Sequence, residues 1–332
     1  MSTPQYTEVP ARAKKIIETF IPPQDLIKEK SQNYASVEPR SEDKEGDTEV
    51  LDGVTFTHHF VEVPGDYETV LFHYVEAGSG EAIVFLHGIP DSWFQWHHQM
   101  AALAKGNRCV AFDLKGYGQS EKKGGDYRHE GVAEQMYKAF EKIGLAASKF
   151  NIVAHDRGTV QADYIVAKHP EKVLRYGRGE QHLYHFHPSL APQGDLFMDP
   201  EMMQDPKHFV VWIYTWIAER PIPRNEFVRI IQEFSYPGTV RAVPRYFNSS
   251  TFRAEWLDRR NRLLEAIMSP VLVMEGYNSK TQPREFYENC REHIPNAKSV
   301  DVVYLPGGHF WSMESPAETT EAIRQLLAMR ID

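Results

Sequence analysis

The sequence is poor in several things that would otherwise mark its function. Among 332 residues there are two cysteines, Cys109 and Cys290. Cys109 stands in the apolar run 108-RCVAF-112, where a free buried thiol is the expected state. Two separated cysteines supply neither a disulfide framework nor a Cys-x-x-Cys pair. No apolar run reaches the roughly 18–20 residues needed to span a bilayer. The opening stretch MSTPQYTEVPARAKK lacks the apolar segment of a secretory leader. Positive charge is not in excess: the formal net charge is -9 and no basic stripe occurs, which weighs against nucleic acid or a membrane surface as partner. A Gly-rich phosphate loop and a dinucleotide fingerprint are also missing, so no cofactor is expected. What is present, 42% hydrophobic and 25% charged residues, is the composition of an ordinary globular chain. The expectation is a cytoplasmic monomer or homodimer acting on a small, partly apolar molecule.

The chain changes character along its length. Residues 1–50 read as an N-terminal extension, a helical pattern followed by the polar linker 31-SQNYASVEPRSEDKEGDT-48. Beyond it, short β-type runs recur at 69–77, 82–88, 108–116, 150–156, 173–177, 270–276 and 300–306. Helical patterns fall between them at about 130–144, 158–169, 283–293 and 316–329. Strands alternating with helices predict a parallel sheet covered on both faces, and apolar runs such as AIVFL and PVLVM suit strands buried on both sides. The alternation stops between about 186 and 268, a segment rich in aromatics at helical spacing. Placed between two strands, it is expected to form a helical cap over the carboxyl ends of the sheet. The expected organisation is therefore an extension (1–50), a core (51–185 and 269–332) and a cap (186–268).

The stretch 151-NIVAHDRGTVQADY-164 has the form of a nucleophile turn. A strand ends in small-x-nucleophile-x-small and runs straight into a helix, and Ala154 and Gly158 leave room for the tight turn. The apex residue is Asp156. A carboxylate attacks saturated carbon and leaves an ester, whereas a serine alkoxide there would suit carbonyl substrates. Three further motifs follow buried strands: 87-HGIPDSWFQW-96, 113-DLKGYGQS-120 and 307-GGHFWSMESP-316. In this order and on these elements, the motifs of residues 51–332 resemble the α/β-hydrolase superfamily. The closest resemblance is to its Asp-nucleophile branch of epoxide hydrolases and haloalkane or haloacetate dehalogenases.

That resemblance implies a set of roles. Asp156 is the nucleophile, and His309, after the last strand, activates the water that hydrolyses the ester. The usual acid after strand seven falls on Ser279, so the acid is expected from strand six, at Glu180. The backbone N–H groups of Ile89 and Arg157 form the oxyanion hole. Two cap tyrosines, Tyr214 in 214-YTWIAERP-221 and Tyr246, 63 residues before His309, are expected to act together as the acid on an epoxide oxygen. His87, Pro90, Trp93, Arg157, Trp212 and Phe310 are expected to line the substrate, and Tyr117 to pack. No metal site is expected, and the run His182, His185, His187 reads as surface histidines. Arg157 also fits haloacetate dehalogenases, in which an arginine holds the substrate carboxylate, but their second arginine falls here on Val160. Epoxide hydrolysis is thus the leading expectation. The alternatives are dehalogenation, other hydrolysis or natural-product tailoring on the same scaffold, and a non-catalytic ligand-binding protein.

Overall fold

The computed structural model describes residues 24–65, 69–179, 205–248, 262–287 and 290–331, together with residues 11, 15 and 203. In chain order the elements are α1 (Gln24–Gln32), β1 (Thr48–Leu51), β2 (Val54–Pro64), β3 (Thr69–Leu86), α2 (His97–Leu103), β4 (Lys105–Phe112), α3 (His129–Lys142), β5 (Phe150–His155), α4 (Arg157–Lys168) and β6 (Val173–Gly179). There follow α5 (Pro206–Ile217), α6 (Arg224–Phe234), α7 (Thr239–Ala242), α8 (Pro244–Asn248), β7 (Val271–Gly276), α9 (Cys290–His293), β8 (Val300–Leu305), α10 (Trp311–Glu314) and α11 (Pro316–Ala328). Among the described residues no helix is long and apolar enough to cross a membrane.

The eight strands form one sheet in the order β1-β2-β3-β5-β6-β7-β8, with β4 paired to β3. The two runs expected at 69–77 and 82–88 are one strand, bent near Gly78 and Gly80. Before the bend, Tyr74 to Gly78 pair with Phe112 back to Arg108. After it, Ala82 to Leu86 pair with Arg108 forward to Phe112, so the two halves flank β4. The second half then pairs in parallel with β5, and β5, β6, β7 and β8 follow in parallel. β5 and β7 are buried at every position, as continuous apolar runs require when helices cover both faces. The antiparallel pair β1–β2 was not foreseen. β1 has no buried residue and β2 is buried only at intervals, and both carry polar residues such as threonine and glutamate, so the pair lacks an apolar run.

One difference from the sequence reading concerns the N-terminal segment. β1 starts at Thr48, so the boundary after residue 50 falls within a strand of the sheet. The polar stretch before it lies largely exposed on the surface, tied to the rest of the fold by polar contacts. Ile27 is fully buried, and Ser31 Oγ lies 3.3 Å from His208 Nδ1 on α5. Arg40 pairs with Glu49 at 3.5 Å and with Glu233 of α6 at 3.7 Å, and the Gln119 side-chain amide donates to Asp43 at 2.8 Å. Charges of both signs in this segment find partners on the helices inserted between β6 and β7.

Candidate functional site

The turn expected at Asp156 forms. β5 ends at His155, α4 starts at Arg157, and Asp156 between them has φ +48° and ψ −112°. A non-glycine residue held at positive φ is strained, and surrounding structure must hold it there. Here the Asp156 N–H donates to the carbonyl of Gly179 at the end of β6, 3.0 Å away. Thr159 Oγ1 donates to the same carbonyl at 2.7 Å. Two glycines beside the turn, Gly158 and Gly88, have steric reasons. A Cβ on Gly158 would stand 2.4 Å from the Leu86 carbonyl oxygen, and one on Gly88 would stand 2.6 Å from Asp156 Cβ.

Asp156 is 9% exposed, and its carboxylate meets two of the expected partners. The Ile89 N–H donates to Oδ1 at 3.0 Å, and His309 Nε2 stands 4.0 Å from Oδ2. On the other side of the His309 ring, Thr281 Oγ1 lies 3.4 Å from Nδ1. Glu180, like the histidines at 182, 185 and 187, lies outside the described residues.

The two loops are tied to the turn by residues the sequence reading passed over. Gln95 accepts from Gly88 N at 3.0 Å through Oε1. Its amide nitrogen reaches His155 Nδ1 at 2.8 Å and Ser312 Oγ at 3.0 Å. His155 Nε2 bonds the His309 carbonyl at 2.9 Å. Burial, with the neighbouring His309 adding to it, pushes His155 down to about 3, so it is neutral and can accept from Gln95 while donating to that carbonyl. Glu314 fixes the His309 loop from the far side. Its carboxylate accepts the backbone N–H groups of Gly308, Phe310, Glu219 and Arg220 at 2.7–2.9 Å, joining the loop to the end of α5. Its only mark in the sequence is its place five residues after His309.

The remaining expected residues divide. Phe310 is buried and stacks on Tyr214, with centroids 3.8 Å apart and planes at 10°. Tyr214 O–H donates to Asp91 Oδ1 at 2.8 Å. Tyr246 is also buried, but its hydroxyl donates to the Lys115 carbonyl at 2.7 Å, so the two phenols do not converge on one acceptor. Its ring instead lies 5.5 Å from the guanidinium of Arg157, whose Nη2 is 3.1 Å from His129 Nε2. His87 is not available to a substrate. Nδ1 bonds the Gly88 carbonyl at 2.8 Å and Nε2 accepts from Leu114 N at 3.0 Å, so the ring staples two loops together. Trp93 is likewise core, fully buried against Phe56 and His58. Trp212 stacks on Trp216 within the inserted helices, with centroids 5.3 Å apart. Pro90 is buried and follows a cis Ile89–Pro90 bond.

Asp91, the residue after Pro90, is the main omission. Burial raises its carboxyl to about 7; the charge of Asp156 adds to that, and the Tyr214 hydrogen bond and His309 oppose it. Its second oxygen has no hydrogen-bond partner among the described residues. The hydroxyl of Tyr117, expected only to pack, is also buried without such a partner. Burial raises that phenol too, with Asp156 and Asp91 adding and Arg157 opposing.

Comparison with known proteins agrees with the fold. Residues 81–177 match the family described as the alpha/beta hydrolase fold. A bifunctional epoxide hydrolase of Rattus norvegicus is 36% identical over 140 residues, 41% of this chain and 24% of that protein. The chain thus aligns with about a quarter of that relative. A fluoroacetate dehalogenase of a Burkholderia species is 24% identical over 301 residues, 79% of this chain and 92% of that protein. Among solved structures, an epoxide hydrolase from Vigna radiata superposes with a TM-score of 0.67 at 20% identity, covering 82% of this chain and 98% of the other. The sheet and its strand–turn–helix elbow give the chain the α/β-hydrolase fold, and residues 81–177 match that family.

Proposed function

We propose that the protein hydrolyses an epoxide to a diol through an ester on Asp156. The carrying observation is the geometry of one carboxylate: Oδ1 receives the Ile89 N–H at 3.0 Å, and Oδ2 faces His309 Nε2 at 4.0 Å. An Asp156 oxygen attacks a ring carbon, the C–O bond of the epoxide breaks, and a phenol protonates the departing oxygen. Tyr214 is the donor in this reading, and the raised carboxyl of Asp91 behind it can return a proton to the phenol. Water then adds to the ester carbonyl carbon while His309 takes its proton. The negative charge that develops on Oδ1 meets the Ile89 N–H, with the Arg157 N–H as the second donor. On collapse the ester oxygen leaves with the second proton of that water, which releases the diol and restores Asp156 with one oxygen from water, and the proton on His309 replaces the one the phenol gave up. Glu180 is assigned to orient His309, and the helices α5–α8 act as the cap. The epoxide hydrolase of Rattus norvegicus supports the reaction class.

The test is intact-protein mass spectrometry of His309→Gln after exposure to a panel of epoxides. Attack should proceed and hydrolysis stall, so Asp156 should gain the mass of the epoxide. No adduct with any epoxide, together with wild-type turnover of the same compounds, would overturn the ester route. A second reading rests on the buried guanidinium of Arg157 beside the nucleophile and on the Burkholderia relative. It is displacement of halide from a haloacid, by the same ester, and fluoride or chloride release separates it from ring opening.

A further inference from the structure

Away from Asp156, two elements bring two histidines and a carboxylate together. Asp52 sits in the two-residue turn between β1 and β2, and His97 and His98 open α2. One ligand-type atom from each lies within 4.8 Å of the others. Asp52 Oδ2 is 2.8 Å from His98 Nδ1, and the two imidazole rings are 3.8 Å apart. We propose that Asp52, His97 and His98 form a binding site for a divalent zinc ion.

The outer partners of the two rings carry the argument. A histidine that binds a metal through one nitrogen almost always donates its other N–H to a carbonyl or carboxylate. His97 Nδ1 bonds the Phe94 carbonyl at 2.7 Å, which leaves Nε2 as its lone pair. His98 Nε2 faces Glu226 Oε1 of α6 at 3.2 Å, which leaves Nδ1 on the Asp52 side. Both rings therefore have an acceptor already seated behind them. The second oxygen of Glu226 is buried with no hydrogen-bond partner among the described residues.

Charge supports the assignment. Two carboxylates flank one imidazole, so a positive charge belongs between them, carried by a proton on His98 or by a metal ion in its place. With zinc bound, the dication is balanced by Asp52 and Glu226 and both rings are neutral. Two nitrogens and one carboxylate suit zinc better than magnesium or calcium, which take oxygen ligands in larger number. Zinc bonds of about 2.0–2.1 Å put ligand atoms roughly 3.3–3.5 Å apart, so the site must tighten slightly. The half-exposed Asp52 and partly exposed His98 can make that movement. Bound metal would join the β1–β2 turn and α2 directly, and α6 through Glu226.

The experiment is calorimetric titration of zinc into the chelator-treated full chain. One zinc per chain is expected, with a melting temperature that rises with zinc concentration. Asp52→Asn and His98→Gln should each weaken binding at least about tenfold, and Glu226→Gln by about 10–100-fold, the usual range for an outer partner. Cobalt in place of zinc should give the visible absorption of a four-coordinate site in the wild type and not in His98→Gln. A chain with His182, His185 and His187 replaced by Gln should bind as the wild type does. No zinc binding, equal binding by wild type and His98→Gln, or loss of binding in the triple replacement would overturn the proposal.

Discussion

The strand-end loops and the inserted helices both bring expected residues to the site, but they hold them differently. Asp156, Ile89 and His309 follow the ends of parallel strands, where a short turn or loop places each one. The elbow at Asp156 allows a single direction for its side chain, and Gly88 and Gly158 admit no bulk nearby. Tyr214 and Tyr246 ride on helices, where sequence spacing says which face is apolar but not what a hydroxyl will meet. One meets Asp91 and the other the Lys115 carbonyl. Residues at strand ends can thus be placed from sequence, whereas residues on an inserted helical layer take their roles from partners distant in the chain.

The largest expected effect tests the strand-end side. Asp156→Asn removes the proposed nucleophile and should lower single-turnover rates by about 10⁴-fold or more, as losing a covalent catalytic group does. Rates within tenfold of wild type would mean that water attacks directly. The inserted layer should answer unevenly. Tyr214→Phe should slow ring opening by about 10²–10⁴, the range for a positioned acid. Tyr246→Phe, whose hydroxyl serves a backbone carbonyl, should cost roughly 0.5–1.5 kcal/mol of stability and leave the rate within tenfold. Equal losses of rate in the two variants would erase the distinction between them.

Two stability effects sharpen the same contrast. Behind the elbow, Arg178 of β6 grips Asp163 of α4 through two bonds of 2.9 and 3.0 Å, and Tyr176 donates to the same carboxylate at 2.9 Å. This pair is fully buried, so Asp163→Asn should destabilise the chain by about 3–5 kcal/mol in urea unfolding. Asp91→Asn should act in the opposite direction. In the folded chain Asp91 keeps its proton up to about pH 7, whereas the unfolded chain releases it near the ordinary value of 3.8. Between those values the folded state binds more protons, so stability falls as pH rises through the window. The variant should gain roughly 1–4 kcal/mol over wild type at pH 8 and little at pH 4, read from urea midpoints at both pH values. A gain that is the same at both would show that Asp91 is ionised throughout.

The sequence by itself determined the layered core and the candidate chemistry. Apolar runs of strand length, alternating with helical periodicity, fixed the parallel sheet because a strand covered on both faces has few other ways to be written. The nucleophile turn and the loops carrying Ile89 and His309 were legible for the same local reason: small residues and a strand-to-helix switch within a few positions. Tertiary structure alone decided the rest. The β1–β2 pair and the contacts of the N-terminal segment depend on polar or charged residues whose partners are far away in sequence. His87 and Trp93 were read as substrate residues but are internal, because a motif gives position and not the direction of a ring. Gln95, Glu314 and Asp91 acquire their roles from groups on other elements, and nothing local in the sequence marks such a partner. The grouping of Asp52 with His97 and His98 was invisible for that reason too, since only the folded sheet brings a hairpin turn beside a helix start.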